Sequence, residues 1–436
     1  MTEKRVAITG LGVVTAAGIG LEGLWAAVLE GRSCIKTLER IKPGKFACTL
    51  AGEVEGFSAR KFVPKSYRKS VKLMARDIEL AIGAADLAFR DAGITTIGID
   101  GEVDIESRRL GCNIGAGLIS CDLEELGLAA VTAMVDGKFD LKAWGETGIE
   151  NLTPLWLLKY LPNMLSCHVT IIHGAKGPSN CITCADASGQ MGVGESSLYI
   201  KRGSADVVVT GGAESKVTPV DINRQLKMKR LTLTKNETPE TAMRPFDADA
   251  SGSVIGEAGG LLILEEMDRA TTRGAKVYAE VAGFGGACAP NGQDITTPNA
   301  GNLSHAVRNA IKNAGLAESD IDAIFAYGMS HPAEDACEAA EWKAVFGDAL
   351  GTIPACSING TTGQMFAGGG AVQLCIAAKA VSVGTLPATA NFQSPAAGVE
   401  LNLSNQSRTV DMKNVVVASF GTGGQSGAVV LRKVDA

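Results

Sequence analysis

The sequence predicts a layered α/β protein built from two similar halves, and three observations carry that prediction. Strand and helix signals alternate along the chain, short β-branched runs suit strands covered on both faces, and pieces of the first half recur in the second. With 436 residues, 46% hydrophobic content and 53 glycines, the chain has room for two core-bearing units. They are expected at 1–268 and 269–436, with the join in the charged stretch 265–276.

Taken in order, Val6-Ala-Ile-Thr-Gly-Leu-Gly12 reads as the opening strand. A helix ending at Ala92-Gly93-Ile94 leads to the strand Arg109-Leu-Gly-Cys-Asn-Ile-Gly115. Irregular inserts fall at 31–72 and 122–165. Within the second, 154–164 sets Leu155, Trp156, Leu158 and Leu161 close to one helical face, which reads as core packing in the first instance. A strand end around Cys181, a turn of small residues and a helix over 190–201 follow, then the strand Val207-Val-Val-Thr-Gly-Gly212. The second half echoes this sequence of elements. A helix ending at Ala314-Gly315-Leu316 precedes Asp322-Ala-Ile-Phe-Ala-Tyr-Gly328, Thr362-Gly-Gln-Met365 matches Ser188-Gly-Gln-Met191, and Val415-Val-Val-Ala-Ser-Phe-Gly421 matches the Val207 strand. Mostly parallel sheets between helical layers are the expected arrangement.

Composition excludes several classes of function. A net charge of −6 without basic clusters argues against nucleic acid or an anionic membrane as the main partner. No run of 18 apolar residues suggests a membrane span, and no leader sequence is apparent ahead of the first strand, so a cytoplasmic location is expected. Eleven cysteines without pairing rhythm suit a reducing compartment. Cys181 and Cys184 form a Cys-x-x-Cys pattern, yet on a strand they would face opposite ways and read as ordinary buried thiols. His168, His173 and His305 show no metal-ligand spacing, so neither metal nor cofactor is expected.

The most informative stretch is Gly177-Pro-Ser-Asn-Cys-Ile-Thr-Cys-Ala-Asp186-Ala-Ser-Gly189. A tight turn entering a helix offers free backbone N–H groups and partial positive charge, a place where a thiolate is activated and an oxyanion held. The run resembles the nucleophile motif of the β-ketoacyl synthases, with Asp186 where the cysteine stands. Further segments match that family in order: Gly211-Gly-Ala-Glu-Ser215, Arg244-Pro-Phe-Asp247 with Gly256-Glu257, and Ser419-Phe-Gly-Thr422-Gly-Gly. Where the family reads Asn-Ala-His-Gly-Thr-Ser-Thr this chain reads Phe325-Ala-Tyr327-Gly-Met-Ser-His331, with Asp335 and Glu338 at the family's downstream spacing. Where the family reads Ser-x-Lys-Ser-x-x-Gly-His it reads Ser357-Ile-Asn359-Gly-Thr-Thr-Gly-Gln364. The resemblance, to the KAS II-like branch of the thiolase superfamily, covers essentially the whole chain. It implies a duplicated thiolase-like α-β-α-β-α fold with the catalytic groups meeting between the halves.

A condensing site needs a nucleophile, an oxyanion hole and two imidazoles. By analogy only the hole survives, made by the backbone N–H groups of Asp186 and Thr422. Attack by Asp186 on a thioester would give a mixed anhydride, higher in energy than its parent, and the helix N-terminus should favour the ionised carboxylate. The plainest role for Asp186 is therefore a helix N-cap. Tyr327, Asn359 and Gln364 can donate hydrogen bonds but do not titrate near neutrality, and read as a network filling a vacated pocket. His331, before Pro332, reads as a surface or supporting residue.

The resemblance thus points to a non-catalytic subunit similar to the chain length factors, pairing with a competent ketosynthase in type II fatty acid, polyketide or polyene assembly on acyl carrier protein. Trp156, Leu158 and Leu161 would line the acyl tunnel and the dimer interface. Two alternatives stand beside this reading. One is an enzyme of altered chemistry, a malonyl decarboxylase or an acyl-thioester hydrolase using Asp186. The other is a homodimeric acyl-binding protein.

Overall fold

The computed structural model describes residues 4–41, 46–290 and 296–434. In the first half, β1 (Val6–Thr15), α1 (Arg76–Ala92), β2 (Leu110–Gly115), α2 (Met164–His173), β3 (Ser179–Ile182), α3 (Ser188–Lys201), β4 (Val207–Ser215) and β5 (Glu257–Glu266) form the frame. The second half repeats it with β6 (Ala279–Cys288), α4 (Leu303–Asn313), β7 (Ala323–Phe325), α5 (Pro332–Phe346), β8 (Ala355–Cys356), α6 (Gly369–Val383), β9 (Asn414–Phe420) and β10 (Gln425–Arg432).

Strand order shows the duplication directly. The main sheet runs 8-7-9-10-6-1-5-4-2-3, so both halves have the order first, fifth, fourth, second, third. They join edge to edge where Ala7 pairs with Glu280 and Ile8 with Ala279. Pairing is mixed, which corrects the expectation of mostly parallel sheets. Parallel pairs occupy the flanks, β4–β2–β3 and β9–β7–β8, while the central pairs from β4 through β5, β1, β6 and β10 to β9 are antiparallel. The physical reason is plain at β9 and β10. A short turn joins them, and strands so joined must run antiparallel, since parallel neighbours need a long crossover.

Helices α1 and α4 cover the outer faces of the two half-sheets, and α3 and α6 lie between them, giving five layers. Both inner helices are apolar or small-residue almost all round, as burial on every side requires. The 18-residue stretch Phe366–Val383, with mean hydropathy 1.4, has the length and composition of a membrane span, contrary to the sequence reading, but is 83% buried inside the protein. The repeat holds in strand order yet is shifted in sequence. The helix equivalent to α3 opens at Gly369, not at Thr362, because Gly363 at φ 80° ends the short turn Asn359–Thr362 and sends Gln364 away from any helix.

Glycines set how closely helix meets sheet. A Cβ on Gly12 would lie 2.0 Å from the Ala84 carbonyl of α1, and one on Gly285, in the matching strand, 2.1 Å from the Ala306 carbonyl of α4. The same small-residue contact is therefore used twice.

Three sequence readings need correction here. The segment 154–164 is not one helix: it holds a 3₁₀ turn, Trp156–Lys159, and α2 starts only at Met164. Pro154 and Pro162 bracket it, and a proline removes a donor and disfavours helical conformation just before it. Only Trp156 of this segment's four named apolar residues packs on the core, its ring tilted against Tyr160 at 5.4 Å, while Leu155 and Leu158 are exposed and Leu161 is half-buried. Finally, a basic run does exist: Arg60, Lys61, Lys65, Arg68, Lys69 and Lys72 are all exposed along 59–73, a stretch with no acidic residue. All eleven cysteines are free.

Gly12→Val and Gly285→Val should each lower unfolding free energy by on the order of 3 kcal/mol, because backbone cannot yield to the added carbons. Gly127→Ala, in an exposed helix with nothing within 4 Å of the added carbon, should leave stability unchanged or raise it by up to about 1 kcal/mol. Urea titration of the three variants reads both effects.

Candidate functional site

Asp186 sits in the 3₁₀ turn Ala185–Ala187 at the entrance to α3. The turn is strained, with Ala185 at φ 49°, and a hydroxyl holds it in place. Ser188 Oγ accepts from the Cys184 N–H at 2.8 Å and lies within 2.7 Å of the Ala185 carbonyl and 3.1 Å of the Ala116 carbonyl.

The Asp186 side chain does not cap α3, which overturns the N-cap reading; the cap position is Ala187, without a side-chain bond. Instead, its Oδ1 accepts from Tyr327 Oη at 2.6 Å and from Gln364 Nε2 at 2.9 Å. The carboxyl is buried, and burial pushes it above the usual carboxylate range against the opposing pull of those two bonds. The expectation that helix charge would dominate its ionisation is thereby corrected. Burial and the neighbouring carboxylate hold the Tyr327 phenol far above its ordinary value, so it stays a donor.

Each donor is aimed by its own supports. Glu338 accepts the Tyr327 and Gly328 N–H groups at 2.7 and 2.8 Å and the Trp342 indole at 3.0 Å. Asn359 Nδ2 donates to the Tyr327 and Gly328 carbonyls, both at 3.1 Å, and Ser357 Oγ donates to the Tyr327 carbonyl at 2.6 Å. Asp335 accepts from the Phe246 and Met329 N–H groups, both at 2.7 Å. Burial lifts Glu338 to about 7 and Asp335 to about 8. Gln364 donates its N–H to the Val254 carbonyl at 2.8 Å, and its Oε1 accepts from Ser253 Oγ at 3.3 Å. The pocket network expected of Tyr327, Asn359 and Gln364 is thus present, with Asn359 acting on the backbone of Tyr327 and not on Asp186.

Thr422 lies in the turn between β9 and β10, closed by Gly421 N–H to Gln425 at 2.8 Å and Gly424 N–H to Gly421 at 2.9 Å. That turn abuts the Asp186 turn: a Cβ on Gly421 would stand 2.7 Å from Ala185 Cβ and 3.4 Å from the Asp186 nitrogen. The two backbone donors named in the sequence therefore belong to adjoining segments. His331 caps α5, accepting from the Glu334 N–H at 3.4 Å. His168 bonds the Tyr67 hydroxyl, and His173 bonds Thr96 and packs against the Phe89 ring at a tilt, with its imidazole pushed down to about 3 by burial. Among the described residues no group of acids, histidines and cysteines has metal-holding geometry.

Sequence reasoning missed the charges around this cluster. The buried pair Arg230–Glu334 acts electrostatically on Asp186, Arg230 pulling its carboxyl down and Glu334 pushing it up. Glu214, at the end of the apolar strand β4, accepts the Ala367 N–H at 2.8 Å and is itself pushed up by burial. A lone acid closing an apolar strand was the available signal for Glu214; Arg230 and Glu334 are 104 residues apart and carried none. Chemically, the cluster offers neutral donors to one oxygen and contains neither thiol nor imidazole among the groups that bond to Asp186.

Comparison with known proteins matches the chain to one family. The β-ketoacyl synthase N-terminal domain matches residues 3–270 and the C-terminal domain residues 278–393. The chain is 30% identical to 3-oxoacyl-[acyl-carrier-protein] synthase 2 of Coxiella burnetii over 436 residues, the full length of both, and 31% identical to that of Vibrio cholerae, again over the full length of both. Among solved structures, the ishigamide ketosynthase/chain length factor superposes with a TM-score of 0.85 at 25% identity, covering all of both chains. A type II polyketide synthase acyl-carrier protein in complex with its ketosynthase gives 0.79 at 25% identity over 99% of this chain and 100% of that chain. The chain belongs to the β-ketoacyl synthase family, with the KAS II-like, thiolase-type fold.

Proposed function

We propose that this chain is a non-condensing, chain-length-factor-like subunit that pairs with a competent ketosynthase in the cytoplasm and serves type II assembly of an acyl chain on a carrier protein. One observation carries the reading: at the nucleophile position stands a buried carboxylate whose Oδ1 is already taken by Tyr327 and Gln364, the residues at the two histidine positions. A condensing cycle asks that position to hold an acyl group and those two to polarise a malonyl unit. Here the three side chains bond to one another instead. The decarboxylase alternative needs Tyr327 and Gln364 free, and the hydrolase alternative needs Asp186 to attack, so the same bonds count against both.

Two surfaces support the partner assignment. The exposed basic run along 59–73, on a chain of net charge −6, suits an acidic carrier protein steered by charge. Leu128, Val131, Leu141, Leu155, Leu157 and Leu158 are exposed on the 122–165 insert, an apolar set that suits an obligate partner. Leu158 and Leu161 then belong to the interface, while Trp156 braces it from the core side. The two backbone donors at Asp186 and Thr422 are the remnant of an oxyanion hole in this reading.

Asp186→Cys should label with iodoacetamide yet show no condensation of acyl and malonyl carrier proteins, because the two imidazoles are still missing and members of a catalytic unit act together. Multi-turnover ketoacyl product from that single variant contradicts the proposal. Co-expressed with an intact ketosynthase, the chain should appear in native mass spectra as a one-to-one complex. Leu157→Asp together with Leu158→Asp should weaken that complex by on the order of a hundredfold, about 2.8 kcal/mol. A homodimer that never takes up the ketosynthase favours the acyl-binding alternative.

A further inference from the structure

We propose that Tyr327 Oη and Gln364 Nε2 form a carboxylate-binding site whose ligand in the native chain is the Asp186 side chain itself. The inference deepens the non-condensing reading and rests on it. The two donors reach one oxygen from separate segments, 2.6 and 2.9 Å away. Each is also held by contacts that do not involve Asp186. The Tyr327 backbone is gripped by Glu338 on its N–H side and by Ser357 and Asn359 on its carbonyl side, and the Gln364 amide is held through Ser253. The phenol stays protonated because burial and the carboxylate raise it, and an amide does not titrate. Both groups therefore donate at every physiological pH. Both donors favour the ionised form of the carboxyl they meet, while burial opposes it, and the bonds are made in a buried site. Shortening residue 186 leaves two aimed donors facing a space the size of a carboxylate group.

The donor pair fits one oxygen with two acceptor lone pairs, and the native occupant makes that oxygen a carboxylate's, in preference to a spherical halide. In the native chain that site is filled from within, which keeps an incoming carboxylate from using the same donors.

The test titrates sodium acetate into native protein, Asp186→Ala, and Asp186→Ala combined with Tyr327→Phe and Gln364→Leu, with sodium chloride at equal ionic strength as control. Calorimetry and melting temperature are the readouts. Asp186→Ala should bind acetate saturably, at least about tenfold more tightly than the triple variant, and native protein should show no response beyond that to chloride. An equal response to chloride, equal responses in native and Asp186→Ala protein, or no acetate binding by folded Asp186→Ala overturns the proposal. If Asp186→Ala does not fold, carbon-13 NMR of the native chain against Tyr327→Phe decides: the Asp186 carboxyl should titrate higher in the variant, and an unmoved titration overturns the proposal. Pairing with a ketosynthase plays no part in any of these measurements, so their failure is distinguishable from failure of the subunit assignment.

Discussion

Two neutral donors meeting one oxygen of a buried carboxylate define what this site is. Asp186 comes from the first half, Tyr327 and Gln364 from the second, so the bonds also tie the two repeats together across the middle of the molecule. Burial opposes the ionised acid, and the hydrogen bonds favour it; the observed geometry satisfies the group only because both donors are present. Removing either would leave a polar group without its partner, which costs more than the bond contributes. The three residues are therefore one unit, and a substitution at position 186 meets two neighbouring donors placed for its carboxyl oxygen.

The scaffold around that unit keeps features that an active site would use. Ala185, Phe246, Ser330 and Phe366 all have φ between 49° and 61°, and each lies within two residues of a group that touches or supports the cluster. Such backbone persists only where surrounding packing over-determines it. Ala185 and Phe366 occupy matching places, each at the turn that leads into an inner helix, so the strain belongs to the repeated frame and not to the chemistry of one half. Within that frame the side chains that meet are a carboxyl, a phenol and an amide.

Much of this was legible in the sequence. The alternation of elements and the echo between Val207 and Val415 gave the duplicated layers, because those runs lie in the same place of each half-sheet. Asp186, Tyr327, Asn359 and Gln364 were identified through the resemblance to the family's motifs, and three of them meet. What spacing could not provide was direction. Whether Asp186 caps a helix or turns toward Tyr327 depends on a residue 141 positions away, and a capping preference is a local quantity that a tertiary contact can override. Likewise, the 154–164 segment has helical periodicity, but its two prolines limit it to a short turn, and periodicity without attention to breakers over-read it. The match of Thr362-Gly-Gln-Met365 to Ser188-Gly-Gln-Met191 was real as text and misplaced in space, since Gly363 takes a conformation that ends the turn before the helix begins.

The central claim is that residue 186 cannot carry an acyl group. Intact-mass spectrometry of the purified chain after incubation with excess acyl carrier protein, followed by peptide mapping of the segment that contains Asp186, tests it most directly. The account predicts an unchanged mass and no hydroxylamine-sensitive adduct. An acyl increment localised to Asp186 would contradict it.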